Sequence, residues 1–272
     1  MEKADIALIT ETKGQPPAIE GFTWMAKNRD KGKGGGVAIG TRNKAGFQVC
    51  ERKIKGCEKP ETLWIDIKGN RETVIQMGCF YGPQENKRKE DVEIIYEDLK
   101  EQITRAEPKN PIILVGDFNA KMELTREGET IQKESRNGKI MNDFLEETGL
   151  YVINETSTTG IWTRVNRHNP RERSIIDYVT ANSEGKRRIR NLEIDEAGTK
   201  RLKNTESESD HNTITFKISM ESAYSRKKIR KWNIKSNTDW KEYNKELTRI
   251  MENKEKTYTN LQKSITEAME KQ

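Results

Sequence analysis

The chain has 272 residues, of which 35% are charged and 32% apolar, with a formal net charge of +6. That length suits one large domain plus an appendage. The composition is polar, but apolar segments punctuate it throughout, which excludes wholesale disorder. No run approaches a membrane span, and the N-terminus lacks a signal-peptide core. Cys50, Cys57 and Cys79 are odd in number and lack metal-ligand spacing. That argues against a disulfide framework and for a reducing setting, cytosolic or nuclear. Residues 217–272 hold 14 Lys+Arg and 8 Asp+Glu, leaving 36 of each in residues 1–216. The basic excess therefore sits in the C-terminal tail, which suits either anchoring to an anionic polymer or a solvated helical face.

Residues 5–10 read as a buried strand that delivers Glu11 just past its end. A carboxylate there suits a hard divalent ion such as Mg2+, or simply a solvated loop. Strands are also expected over 36–40, 62–67 and 73–80. The last leads into Cys79-Phe80-Tyr81-Gly82-Pro83, where Tyr81 is either a phosphate-stabilising phenol or a packing tyrosine. Val92, Ile95, Leu99 and Ile103 repeat at helical spacing within 85–106, and Pro108 ends the run.

The run Ile112-Ile113-Leu114-Val115 reads as a strand buried on both faces. It ends at Gly116-Asp117-Phe118-Asn119, where alternation would direct Asp117 and Asn119 to one side, fit to hold a water or a metal. An Asx turn is the plain alternative. Ile140, Met141, Phe144 and Leu145 form a helical stripe within 138–148, stopped by Gly149. Strands follow over 150–154, 175–180 and 213–218. Ser209-Asp210-His211-Asn212 precedes the last and holds one of only two histidines. His211 can donate a hydrogen bond to a phosphoryl oxygen, with Asp177 a candidate to fix its tautomer. The polar loops 27–36, 122–138 and 164–173 would ring one end of the scaffold. Of their basic residues, Lys31, Lys33, Arg164, Arg167 and Arg171 are candidates to contact phosphates of an anionic partner.

A boundary is expected near residue 220. Beyond it lie the basic cluster Arg226-Lys227-Lys228-Ile229-Arg230-Lys231 and a helix carrying Trp240, Tyr243, Leu247, Ile250 and Met251 on one face. Tyr258, Leu261, Ile265 and Met269 would continue that face or form a second helix.

The ordered series Glu11, Tyr81-Gly82-Pro83, Gly116-Asp117-Phe118-Asn119-Ala120, Leu150 with Asn154, Trp162-Thr163, Ser174-Ile175-Ile176-Asp177-Tyr178 and Ser209-Asp210-His211 resembles the endonuclease/exonuclease/phosphatase superfamily. It is most similar to the endonuclease domain of non-LTR retrotransposons. The resemblance covers about residues 4–218, and the tail resembles the segment preceding a reverse transcriptase. It implies an α/β fold: a four-layered α/β sandwich of two mixed β-sheets flanked by helices, here with a C-terminal helical tail. The domains would be 1–218 and 219–272.

The resemblance also implies Mg2+, or Mn2+ in its place, as cofactor. Glu11 would bind the metal, with Asp210 assisting the metal or water site. Asp117 would orient or deprotonate the attacking water, and Asn119 would position it. His211, oriented by Asp177, would hydrogen-bond the scissile phosphate, and Tyr81 would stabilise its charge. The implied activity is DNA nicking that leaves a 3′-hydroxyl, in the nucleus, with DNA and a reverse transcriptase module as partners and no membrane. Cleavage at abasic sites, or an inactive remnant that binds nucleic acid or protein, are the alternatives. The family's opening strand and its Asn are expected to be missing here, leaving an exposed sheet edge.

Overall fold

The computed structural model describes all residues except 1–3, 15, 17, 29–33, 55–60, 70–73, 107–108, 167, 201–208, 221–239, 253–264 and 266–272. Lys31, Lys33, Arg167, the basic cluster at 226–231, Tyr258, Leu261 and Met269 thus lie outside the described residues. The chain divides into two compact units, Met1–Ala223 and Tyr224–Gln272.

In chain order, the first unit opens with strands β1 (Ile6–Thr10), β2 (Phe22–Lys27), β3 (Val37–Arg42), β4 (Gln48–Arg52), β5 (Glu61–Lys68) and β6 (Val74–Tyr81). Helix α1 (Lys89–Thr104), β7 (Ile112–Asp117), β8 (Leu124–Arg126), β9 (Glu129–Gln132) and α2 (Arg136–Thr148) follow. After β10 (Tyr151–Val152) and a 3-10 turn (Asn154–Thr156) come β11 (Arg164–Val165), β12 (Arg173–Ser174), β13 (Asp177–Ala181), α3 (Ser183–Lys186), β14 (Ile189–Ile194) and β15 (Ile214–Ile218). The second unit holds α4 (Trp240–Glu252).

The fold is an α/β sandwich built on a six-stranded sheet ordered β10-β13-β7-β6-β5-β4. The β6–β7 pair is parallel and its other pairs are antiparallel, so the sheet is mixed. Both faces of this sheet are covered, which is why β6 and β7 read as continuous apolar runs. On one face Phe80, Leu114 and Trp64 pack against Val92, Tyr96 and Leu99 of α1 and Met141 and Phe144 of α2. On the other, Ile65, Ile75, Met77, Ile113 and Val179 pack against Val37 and Ile39 of β3 and Leu192 and Ile194 of β14. The second layer is the antiparallel sheet β1-β3-β2 together with the pair β14-β15.

Helix α2 begins where Ser135 Oγ accepts the Gly138 N–H at 3.1 Å, and ends at Gly149 in the left-handed conformation, φ 65°. Both are the local signals for a start and a stop. Helix α1 begins at Lys89, later than the expected start at 85, because residues 85–87 form a turn and a bend and Arg88 is extended.

Two expectations change. The segment 150–154 is a strand for only two residues and then turns. And β1 is half-buried along its whole length rather than a buried strand. Among the described residues it pairs with β3 alone, and β15 pairs with β14 alone, so each presents one unpaired edge. In α4, Trp240 and Tyr243 pack edge to face at 5.7 Å, and Arg249 pairs with Glu246. None of the described helices is long and apolar enough to cross a membrane.

Candidate active site

Strand register builds the site. Asp117, the last residue of β7, is aligned with Tyr81 on β6 and with Asp177 on β13. Tyr81, Asp117 and Asp177 therefore form a row across three neighbouring strands, spaced by roughly 4.8 Å per strand. The second layer faces this row. Glu11 follows β1, and Tyr81 Oη donates to Glu11 Oε1 at 3.4 Å. His211 lies three residues before β15, and its Nδ1 lies 2.9 and 3.0 Å from the two carboxylate oxygens of Asp177.

The backbone beyond Asp117 is held tightly. Gly82 N donates to Asp117 O at 2.6 Å, and Phe118 N donates to Ile176 O at 2.8 Å. A side chain on Gly116 would run into the Phe80 carbonyl, which restricts that position to glycine. Phe118 is fully buried, edge to face with Phe80 at 5.1 Å and Tyr178 at 5.7 Å. It anchors the two polar residues on either side of it.

Asn119 departs from the alternation argument. It lies past the strand end with φ 48°, and its N–H donates to Asp117 Oδ1 at 2.9 Å, an Asx-type turn. Its Nδ2 donates to Gly82 O at 3.0 Å. Asn119 thus stays beside Asp117 through that turn, not through strand geometry.

The charges are coupled. Asp117 is buried, which pushes its carboxyl well above the usual range, and the charge of Asp177 adds to the shift. His211 and the Asn119 N–H oppose it, while Glu11 reinforces it. Burial lowers the His211 pKa, but the charge and hydrogen bond of Asp177, with Asp117 and Asp210, outweigh this and raise it to about 9. His211 is therefore an imidazolium at neutral pH. Tyr81 is pushed up to about 12 by burial and by Glu11 and Asp117, against hydrogen bonds from Gln84 and Asn119. It remains a phenol.

Asp210 takes a different position from its neighbour. Its Oδ2 pairs with Arg164 at 2.8 Å, and its Oδ1 is 3.9 Å from His211 Nε2. Arg164 is thereby turned toward the site, while Arg171 lies exposed on the loop between β11 and β12.

One oxygen-rich set could hold a cation. Asp117, Asp177 and His211 offer ligand atoms within 4.8 Å of one another. His211 Nδ1 is already engaged by Asp177, which leaves the carboxylates as the available hard donors. Asp117 resists ionisation first because it is buried, and then because Asp177 and, more weakly, Glu11 place negative charge beside it. A divalent cation would relieve that strain, so the residues present fit one.

Three supporting side chains had no role assigned from the sequence, although Thr163 and Asn212 stood within the quoted motifs. Thr163 Oγ1 accepts the N–H groups of Ile176 and Asp177, each at 3.0 Å. Asn212 Nδ2 donates to Trp162 O at 2.7 Å, and Asn137 Nδ2 donates to Pro83 O at 2.8 Å. Each pins a loop that carries a site residue. Asn154 does the same for β13, donating to Asp177 O and accepting from Val179 N, both at 2.9 Å.

A family profile described as endonuclease-reverse transcriptase matches residues 75–215, just over half of the chain. The matched segment contains Tyr81, Asp117, Asn119, Asp177 and His211. No curated protein sequence matches the chain. Several solved structures share the fold. The endonuclease domain of TRAS1, a telomere-specific non-LTR retrotransposon, is 21% identical with a TM-score of 0.58, over 81% of this chain and 88% of that one. The 3′-5′ exonuclease NExo from Neisseria meningitidis is 17% identical with a TM-score of 0.55, over 79% and 89%. The AP endonuclease LMAP from Leishmania major is 12% identical with a TM-score of 0.60, over 80% and 79%.

Proposed function

Since the chain belongs to the endonuclease-reverse transcriptase family, we propose that it is a divalent-metal-dependent DNA endonuclease of retrotransposon type, cutting one strand to leave a 3′-hydroxyl. The observation that carries this reading is the aligned row Tyr81–Asp117–Asp177, with His211 held against Asp177 at 2.9 Å. A base, a hydrogen-bond donor and a cation gathered at one sheet end are the set that phosphodiester hydrolysis needs, and this arrangement supports that reading.

Asp117 accepts a proton from the attacking water, and the Asn119 carboxamide beside it positions that water. The water oxygen bonds to phosphorus as the bond from phosphorus to the 3′ oxygen breaks. The products are a 5′-phosphate and a 3′-hydroxyl, the departing oxygen taking up a proton. His211, cationic and oriented by Asp177, donates a hydrogen bond to a non-bridging oxygen and opposes the growing negative charge. Tyr81 does the same as a neutral donor. Of the carboxylates at the site, Glu11, with Asp210 assisting, would hold Mg2+ or Mn2+, because Asp117 is taken up as the base and Asp177 by His211; the ion would supply Lewis-acid stabilisation of the phosphate and leaving oxygen.

The substrate is DNA, with Arg171 among its phosphate contacts, and the tail would link to a reverse transcriptase module in the nucleus. The test is nicking of supercoiled plasmid with Mg2+ or Mn2+, with Asp117→Ala as control and an abasic duplex as competitor. Wild-type nicking absent from the control supports the reading. Preference for the abasic duplex would move the assignment to repair, and no cleavage above the control with either ion would overturn it.

A further inference from the structure

A groove of about 700 Å3 lies between the β8–β9 hairpin and the β11–β12 hairpin. Arg126 from the first hairpin, Arg171 and Arg173 from the second, and Trp162 just before the second hairpin line it. We infer that this groove is a phosphate-backbone subsite, and that Arg126, Arg171 and Arg173 hold the nucleic-acid strand that flanks the scissile phosphate. This rests on the endonuclease reading above.

Three observations carry it. First, the three guanidiniums form no ion pair among the described residues, although carboxylates are abundant in this chain. Several other arginines are matched, among them Arg88 with Asp91, Arg164 with Asp210 and Arg187 with Glu184. Unmatched guanidiniums converging on one groove await an external anion, and their planar forks suit phosphate.

Second, Arg173 is preorganised. Its guanidinium lies 4.6 Å from the ring centre of Trp162, which is buried. Stacking fixes the plane of the fork before any ligand arrives, so less side-chain freedom is lost on binding.

Third, the groove is mechanically joined to the reacting groups. Arg164 forms an antiparallel bridge with His211, and Val165 N donates to Asp210 O at 2.9 Å. Trp162 is two residues before Arg164, roughly 7 Å of extended chain. That is about two 3.4 Å base-pair rises from the site. A strand whose phosphate lies against His211 would pass over this groove next.

Glu127 and Glu129 also line the groove. They repel a polyanion, so the strand must follow the arginine side, and neutralising them is expected to tighten binding.

The experiment measures binding of a fluorescent duplex to wild-type protein, to Arg126→Gln/Arg171→Gln/Arg173→Gln, and to Lys68→Gln. Lys68 ends β5 at the opposite end from Glu61, whose partner is Tyr81. Affinity is followed from 50 to 200 mM salt. Three lost phosphate contacts should lower the slope of log affinity against log salt by about 2.7, at about 0.9 each. Over that range the wild type should lose about 40-fold more affinity than the triple variant. Arg126→Gln alone, on an exposed strand, should lower the slope by about 0.9 and guards against misfolding of the triple variant. Arg173→Lys, which keeps the charge and loses the stacked fork, should weaken binding with little change in slope. An unchanged slope in Arg126→Gln and the triple variant, or an equal drop in Lys68→Gln, overturns the inference. Because binding is read without turnover, its outcome is separate from plasmid nicking, whose failure would instead overturn the endonuclease reading.

Discussion

Asp177→Asn isolates the electrostatic role of the His211–Asp177 pair. The carboxamide keeps an oxygen near His211 Nδ1, so the imidazole keeps its partner while losing the negative charge. In the wild type His211 titrates at about 9, against an ordinary 6.5, because Asp177 overcomes the effect of burial. Without that charge, burial dominates and the pKa falls to about 6.5 or lower. At pH 8 the protonated fraction would drop from about 0.9 to about 0.03 or less, a loss of roughly 30-fold or more. Asp117 responds as well, since the charge of Asp177 is the second cause of its raised pKa after burial. Its carboxyl becomes easier to ionise. Both limbs of the pH–rate profile for nicking should therefore move to lower pH, with the largest loss above neutrality. The assay is the single-turnover nicking rate from pH 5.5 to 9.5 at saturating Mg2+. An alkaline limb that stays near 9, or a loss of the same size at every pH, would refute the reasoning.

Other consequences follow from the same geometry. Gly116→Ala forces a methyl against the Phe80 carbonyl and should cost about 2 kcal/mol or more, lowering Tm by about 4–8 °C in a thermal melt. Thr163→Val removes the acceptor for two buried N–H groups, at Ile176 and Asp177, and should cost about 2 kcal/mol in urea denaturation and reduce nicking by displacing Asp177. Stability without metal should fall as pH rises. His211 has a raised folded pKa, so its contribution is complete below about 6.5 and is lost as pH passes about 9. Asp117 also has a raised folded pKa, so its neutral form favours folding at low pH and its ionisation above the ordinary carboxylate range opposes it. In EDTA, Tm should decline between pH 5 and 9. Divalent ion at about 100 times its Kd should restore roughly 2.7 kcal/mol at pH 8, and less at pH 5.

The sequence displayed the centre of the fold and hid its margins. Ile112–Asp117 and Val74–Tyr81 are covered on both faces, so their apolar runs were plain. Strands β2 and β4 are edge strands with exposed polar positions, and no apolar pattern marked them. Strand β14 carries a register shift between Arg190 and Glu193 and a left-handed Asn191, which break its alternation. At the site, Asp177 and His211 stood out as residue types, and His211 Nδ1 lies 2.9 Å from Asp177 Oδ1. Asn119 was placed beside Asp117 for a reason that the structure replaces with a turn. Thr163, Asn137 and Asn212 act through backbone groups of distant segments, and such partners leave no local spacing to read. The pairing of Arg164 with Asp210 was hidden for the same reason.

The most direct measurement is the initial rate at which purified protein nicks supercoiled plasmid with Mg2+, beside Asp117→Ala prepared identically. Metal-dependent nicking by the wild type, ends bearing 3′-hydroxyls that a polymerase extends, and a loss of about 100-fold or more in the variant are expected, in line with removal of a general base. Equal rates for the two proteins would contradict the role of Asp117 as that base.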